Sequence, residues 1–110
     1  MIPQVIKKFA PRIMDVLPNP IKLANDLHGK DLLTLQFRDK VIENQVASGY
    51  EKSSMLINEV QKTFRSVYAT NDDSIQQHFI EYCSCLKDQS STGLSLIVDQ
   101  MMESATVDSI

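Results

Sequence analysis

The stretch Ser48–Phe64, SGYEKSSMLINEVQKTF, decides the fold class. Ser48 and Glu51 have the spacing of a capping box, in which both side chains accept hydrogen bonds from backbone N–H groups at a helix start. Behind this start signal, apolar side chains recur at intervals that place them on one helix face: Leu56, Ile57, Val60 and Phe64. The stretch therefore predicts an amphipathic helix of roughly four turns with one buried face.

A first helix is predicted from about Pro3 to Leu17. Apolar residues recur every four positions along it: Val5, Phe9, Ile13 and Leu17. Pro11 lies inside this segment, where a proline removes one backbone donor and its ring clashes with the carbonyl four residues earlier. We therefore expect a first helix that is kinked near Ala10, or split so that Pro11 lies in the first turn of the second part.

Two shorter helices are predicted before the Ser48 start signal. Asn19 followed by Pro20 indicates an N-cap with proline at the first helical position, and Gly29 indicates the end of that helix. Its inner side is predicted to carry Ile21, Ala24 and Leu27. Thr34 is predicted to cap a third helix that runs to Asn44, with Phe37 and Val41 on its apolar face.

Two helices are predicted after it. Asp73 and Gln76 again have capping-box spacing, and an apolar stripe follows: Ile75, Phe79, Cys83 and Leu86. A sixth helix is predicted from about Leu94, with inward-facing Leu94, Ile97, Val98 and Met101. Since the end of the chain has no sustained pattern, we expect a domain over residues 1–103 and a tail or linker over 104–110.

The whole pattern predicts an all-α fold, a six-helix antiparallel bundle in one domain. The 110 residues suit a single hydrophobic core. A composition of 43% hydrophobic and 23% charged residues is typical of a soluble globular protein. The net charge of −3 provides no general positive field, so we expect neither nucleic acid nor a membrane as partner.

Apolar runs and cysteines indicate the compartment. Runs such as Leu94–Val98 are far shorter than the roughly 20 residues that cross a bilayer, and the N-terminus lacks a signal-peptide core. Cys83 and Cys85 are too close in sequence to form a disulfide framework. We expect a cytoplasmic protein with reduced thiols.

Residue types that support catalysis or metal binding are few. Cys83 and Cys85 point to different sides of a helix, and no second ligand pair accompanies them. His78 lies five residues before Cys83, a poor spacing for activating a nucleophile, and the three glycines form no phosphate-binding loop. We expect no enzyme activity, no metal and no cofactor.

Three strings resemble the caspase recruitment domain (CARD) branch of the death-fold superfamily. They are FAPRIMDVL at 9–17, DLLT at 31–34 with Phe37 through Glu43 behind it, and FIEYCSCL at 79–86. The resemblance spans about residues 5–102 and implies a death-fold bundle of six helices. The death and death-effector branches share this architecture and stay open.

The resemblance implies a homotypic interaction module that assembles or recruits signalling proteins in an apoptotic, inflammatory or innate-immune pathway. In that family a basic face on the first and fourth helices docks on an acidic face of the next domain, and such heterologous contacts can propagate as a helical filament. The basic residues here are Lys7, Lys8, Arg12, Lys52, Lys62 and Arg65, and the acidic ones on the second and third helices are Asp26, Asp31, Asp39 and Glu43.

Other interpretations of these patterns stay open. Opposite charges such as Arg38, Lys40, Glu51 and Glu59 are interleaved with the two sets, as on ordinary solvated helix faces. A stand-alone decoy that regulates CARD assembly, or an unrelated helical bundle that binds a small ligand, also fits the sequence. We expect other CARD-like domains, in self or heterotypic association, as partners.

Overall fold

The computed structural model describes residues 2–44, 49–66, 72–89 and 91–108. Within these ranges the chain forms six α-helices and no strand, which confirms the all-α prediction. The helices are α1 (Ile2–Val16), α2 (Pro20–Gly29), α3 (Leu35–Glu43), α4 (Gly49–Ser66), α5 (Asp72–Lys87) and α6 (Thr92–Asp108).

Local hydrogen bonds explain where several helices begin. The Asn19 side chain accepts from the Lys22 N–H at 3.1 Å, and the Thr34 hydroxyl accepts from the Phe37 N–H at 3.2 Å, so both predicted caps are confirmed. Ser91 caps α6 in the same way, with the Leu94 N–H at 3.3 Å. The predicted capping boxes begin at Ser48 and Asp73, whose side chains lie outside the described residues.

Pro11 does not split the first helix. One α-helix runs from Ile2 to Val16 with Pro11 inside it, so a restart at Pro11 is wrong. The proline leaves the carbonyl of Lys7 without its helical donor. Because Lys7 and Pro11 are both exposed, water can reach this side of the helix and satisfy that carbonyl.

The left-handed backbone conformation that ends α2 lies at Asp31 and not at Gly29. Gly29 is the last helical residue, as predicted, but Asp31 has the left-handed φ of 60°. The Asp31 N–H donates to the His28 carbonyl at 3.1 Å, and the Leu32 N–H donates to the Leu27 carbonyl at 2.9 Å. This pair of bonds is a Schellman motif, which satisfies carbonyls at the helix end and turns the chain toward α3.

The helices pack around a core in which α1 contacts α4 and α6, while α2 contacts α3, α4 and α5. The predicted stripes of α4, α5 and α6 are all buried, and so are Val5, Phe9 and Ile13 of α1. Tyr82 is fully buried as well, with its ring 5.9 Å from that of Phe64. Ile21 is a correction: it is 37% exposed, and Leu23 takes the inner position in α2.

The last helix extends further than the sequence predicts. It continues beyond residue 103 to Asp108, and Ala105 packs against the core. Residues 104–108 are thus helical, while the division into a domain over 1–103 and a tail or linker over 104–110 stays a prediction. No helix of the described residues is long and apolar enough to cross a membrane.

Candidate functional site

The predicted basic residues lie on two helices that pack against each other. Lys7, Lys8 and Arg12 are exposed on α1, Lys62 and Arg65 are exposed on α4, and Lys52 is half-buried on α4. Among the described residues, none of these six side chains has an ion-pair partner.

The cations of α1 do not share one direction. At about 100° per residue, Lys7 lies roughly 140° around the helix from Arg12. Lys8 and Arg12 line a cleft between α1 and α6. Lys8 and Arg12 thus share a cleft whose described lining residues all belong to α1 and α6, and the predicted grouping with the cations of α4 stays a prediction.

Arg12 is held in place by two contacts. Its Nη1 donates to Gln100 Oε1 of α6 at 3.1 Å, and its guanidinium lies 5.3 Å from the centre of the Phe9 ring. Lys8 Nζ lies 5.5 Å from the same ring centre. Two cations over one aromatic ring are each attracted by the negative ring face, which offsets part of their mutual repulsion.

The cleft has a volume of about 540 Å³ and is open to solvent. On the α6 side it is bounded by Gln100, Glu103 and Ser104. Its two cations and one carboxylate, that of Glu103, leave the lining with a net formal charge of +1. Such a lining suits a singly charged anion better than a polyanion.

Three of the four predicted acidic residues already have interactions within the chain. Asp26 Oδ2 accepts from Lys22 Nζ and from Gln89 Nε2, each at 2.9 Å. Asp39 Oδ1 accepts from Arg38 Nε at 3.2 Å and Nη2 at 2.9 Å. The side chains of Asp26 and Asp39 therefore have structural roles of their own, and Asp31 also has an interaction within the chain.

Glu43 differs from the other three. Its side chain is exposed and, within the part of the chain that the structure describes, has no hydrogen-bond or ion-pair partner. It is also the last residue of α3, where a negative charge lies next to the negative end of the helix dipole. A cation from another molecule would stabilise Glu43 at this position.

The cysteines are buried inside α5. Burial raises the pKa of Cys83 to about 12, and burial with the nearby Asp26 and Asp88 charges raises the pKa of Cys85 to about 11. Burial also raises the pKa of Tyr82. Thiols in this state are poor nucleophiles and poor metal ligands, and the described residues contain no group of acidic, histidine and cysteine side chains arranged to hold a metal.

Comparison with protein-family models, with curated proteins and with solved structures gives no match. The resemblance to caspase recruitment domains consequently stays a proposal based on the strings quoted above.

Sequence reasoning missed two residues at these surfaces. Gln100 bounds the cleft and holds Arg12, yet a lone glutamine on a helix carries no sequence signal. Phe9 was predicted as core, and it is only 3% exposed, but its ring also lies beneath Lys8 and Arg12. Arg12 lies three residues after Phe9 in the sequence, and Lys8 lies one residue before it. These spacings allow both contacts but do not require them.

Proposed function

We propose that this protein is a CARD-like interaction module that associates with further copies, or with related domains, through surfaces of opposite charge. Through such association it would assemble or recruit signalling proteins. The observation that carries the proposal is the set of exposed cations on α1 and α4 that lack ion-pair partners among the described residues.

The ion pairs of the chain support this division of charge. Lys22–Asp26 lies within α2, Arg38–Asp39 within α3, and Lys87–Asp99 joins α5 to α6. Folding thus compensates the charges of Asp26 and Asp39 locally, while the six basic side chains of α1 and α4 have no ion-pair partner among the described residues. Of the four acidic residues predicted on α2 and α3, Glu43 is the one whose side chain has no partner among the described residues.

Charges of this kind set partner choice and association rate more than affinity, and salt screens them. Association should therefore weaken strongly between 0.05 and 1 M salt, where the Debye length falls from more than 10 Å to about 3 Å. Sedimentation or light scattering of the purified chain measures this directly. Wild type that stays monomeric at all salt concentrations and binds no death-fold partner would contradict the proposal.

Charge reversal gives the sharper test. Arg12→Glu and Glu43→Lys should each weaken self-association by at least tenfold, because like charges facing each other in an interface cost several kcal/mol. A mixture of the two variants should recover part of the association, since a reversed surface then meets a reversed partner.

Lys30→Glu is a matched control, because it makes the same charge change at an exposed residue just after α2. It should leave association close to that of wild type. Circular dichroism should show that all three variants keep the helical fold of wild type, since surface substitutions usually change stability far less than the loss of a core side chain does. If Arg12→Glu and Lys30→Glu weaken association equally, only net charge matters and the proposed surfaces are wrong.

A further inference from the structure

The cleft between α1 and α6 contains an arginine that is positioned but not neutralised. Gln100 accepts one hydrogen bond from Arg12, and Phe9 lies beneath the guanidinium. A guanidinium has five N–H donors, so most of them stay available. A carboxylate can accept two of these in parallel, which is the geometry that arginine prefers.

The charge of the cleft selects the kind of anion. Lys8 and Arg12 attract a negative group, whereas Glu103 on the α6 side repels a second negative charge. A single carboxylate therefore fits the cleft better than a phosphate dianion or a nucleic acid backbone. The cleft is open to solvent and has a volume of about 540 Å³, so an acidic side chain of another molecule can enter it.

Among the four acidic residues predicted on α2 and α3, one offers a carboxylate with matching properties. Glu43 is exposed, has no partner among the described residues, and lies at the unfavourable end of the α3 dipole. Asp26 and Asp39, in contrast, are occupied by Lys22 with Gln89 and by Arg38. The Glu43 of one copy and the cleft of another can therefore satisfy each other.

We propose that the α1–α6 cleft is the site at which the Glu43 carboxylate of a second copy binds, and that Gln100 is the positioning residue for Arg12. The inference rests on the proposed self-association, but it moves the basic contact surface from the α1–α4 side to the α1–α6 side. Arg12 and Lys8 bind the incoming carboxylate, while Gln100 and Phe9 fix the direction of the guanidinium.

Gln100→Glu tests this site with a nearly isosteric change. The new carboxylate would occupy the position from which Gln100 already accepts the Arg12 bond, and it would neutralise Arg12 from within the chain. Self-association should fall at least about tenfold, while the melting temperature should be equal or higher because the hydrogen bond, which is already charge-assisted, becomes an ion pair. Gln76→Glu, at an exposed residue of α5, is the matched control and should associate as wild type does.

A double variant tests whether Glu43 is the residue that binds in the cleft. Adding Glu43→Lys to Gln100→Glu should restore association, because the lysine of one copy then meets the carboxylates at 100 and 103 of another. Loss of binding in Gln100→Glu without this restoration would show that Glu43 is not the occupant.

A Lys62→Glu variant distinguishes a failure of this inference from a failure of the proposed function. If wild type associates in a salt-dependent manner and Lys62→Glu weakens it, but Gln100→Glu behaves like Gln76→Glu, the module associates through α4 and the cleft proposal is overturned. If wild type shows no association at all, both proposals fail together.

Discussion

Asp26 lies at a junction between α2 and the end of α5, which makes it the best place to separate folding from binding. Its Oδ2 accepts from Gln89 Nε2 at 2.9 Å, and Gln89 is only 5% exposed. The same Nε2 donates to the Cys85 carbonyl at 2.9 Å, and Lys22 Nζ bridges Asp26 and the Asp88 carbonyl. We predict that Asp26→Ala destabilises the fold and leaves self-association unchanged.

The expected decrease in the free energy of unfolding follows from the contacts that Asp26→Ala removes. The Lys22 ammonium is about half exposed and becomes solvated, so its ion pair with Asp26 contributes about 0–1 kcal/mol. The hydrogen bond from buried Gln89 to a charged acceptor contributes about 1.5–3 kcal/mol, although the remaining bond to the Cys85 carbonyl limits the loss. The better helix propensity of alanine returns up to about 0.7 kcal/mol. The expected net loss is about 1–3 kcal/mol.

Urea denaturation followed by circular dichroism measures this loss. Asp39→Ala is the matched control, since it removes the same side chain from a helix and breaks an ion pair with Arg38 that is partly exposed. It should cost less than about 1 kcal/mol. Equal stability of the two variants would refute the buried-junction reasoning. If Asp26→Ala is stable but self-associates more weakly than wild type, Asp26 belongs to the interface, as the sequence predicts.

Two further predictions concern backbone conformation and pH. Because position 31 has a φ of 60°, Asp31→Gly should be about 1 kcal/mol more stable than Asp31→Ala. Both variants lack the aspartate side chain, so they differ only in backbone freedom and one methyl group. Equal urea midpoints of the two variants would contradict the left-handed conformation. The raised pKa values of Cys83 and Cys85 mean that above pH about 9 the unfolded chain loses thiol protons that the folded chain keeps, so the free energy of unfolding should fall as pH rises toward 11. A Cys83→Ala, Cys85→Ala variant should show a flatter profile between pH 8 and 11, and parallel profiles would show that the thiols do not contribute.

The sequence alone determined the helices and most of the core. Apolar spacing of three and four residues fixes which side of a helix is buried, so the stripes of α4, α5 and α6 were predicted correctly. The caps at Asn19 and Thr34 were also predictable, because a cap forms between residues three apart in the chain. Both signals are local, and local signals can be read from one sequence.

Only the tertiary structure decided which charges are available. Arg12 meets Gln100 from 88 residues away, and Asp26 meets Gln89 from 63 residues away. No periodicity encodes such contacts, because they depend on which helices become neighbours and on how each helix is rotated. The sequence therefore named the charged residues, while the packing of α1 on α6 placed Arg12 against Gln100 and the packing of α2 on α5 placed Asp26 against Gln89.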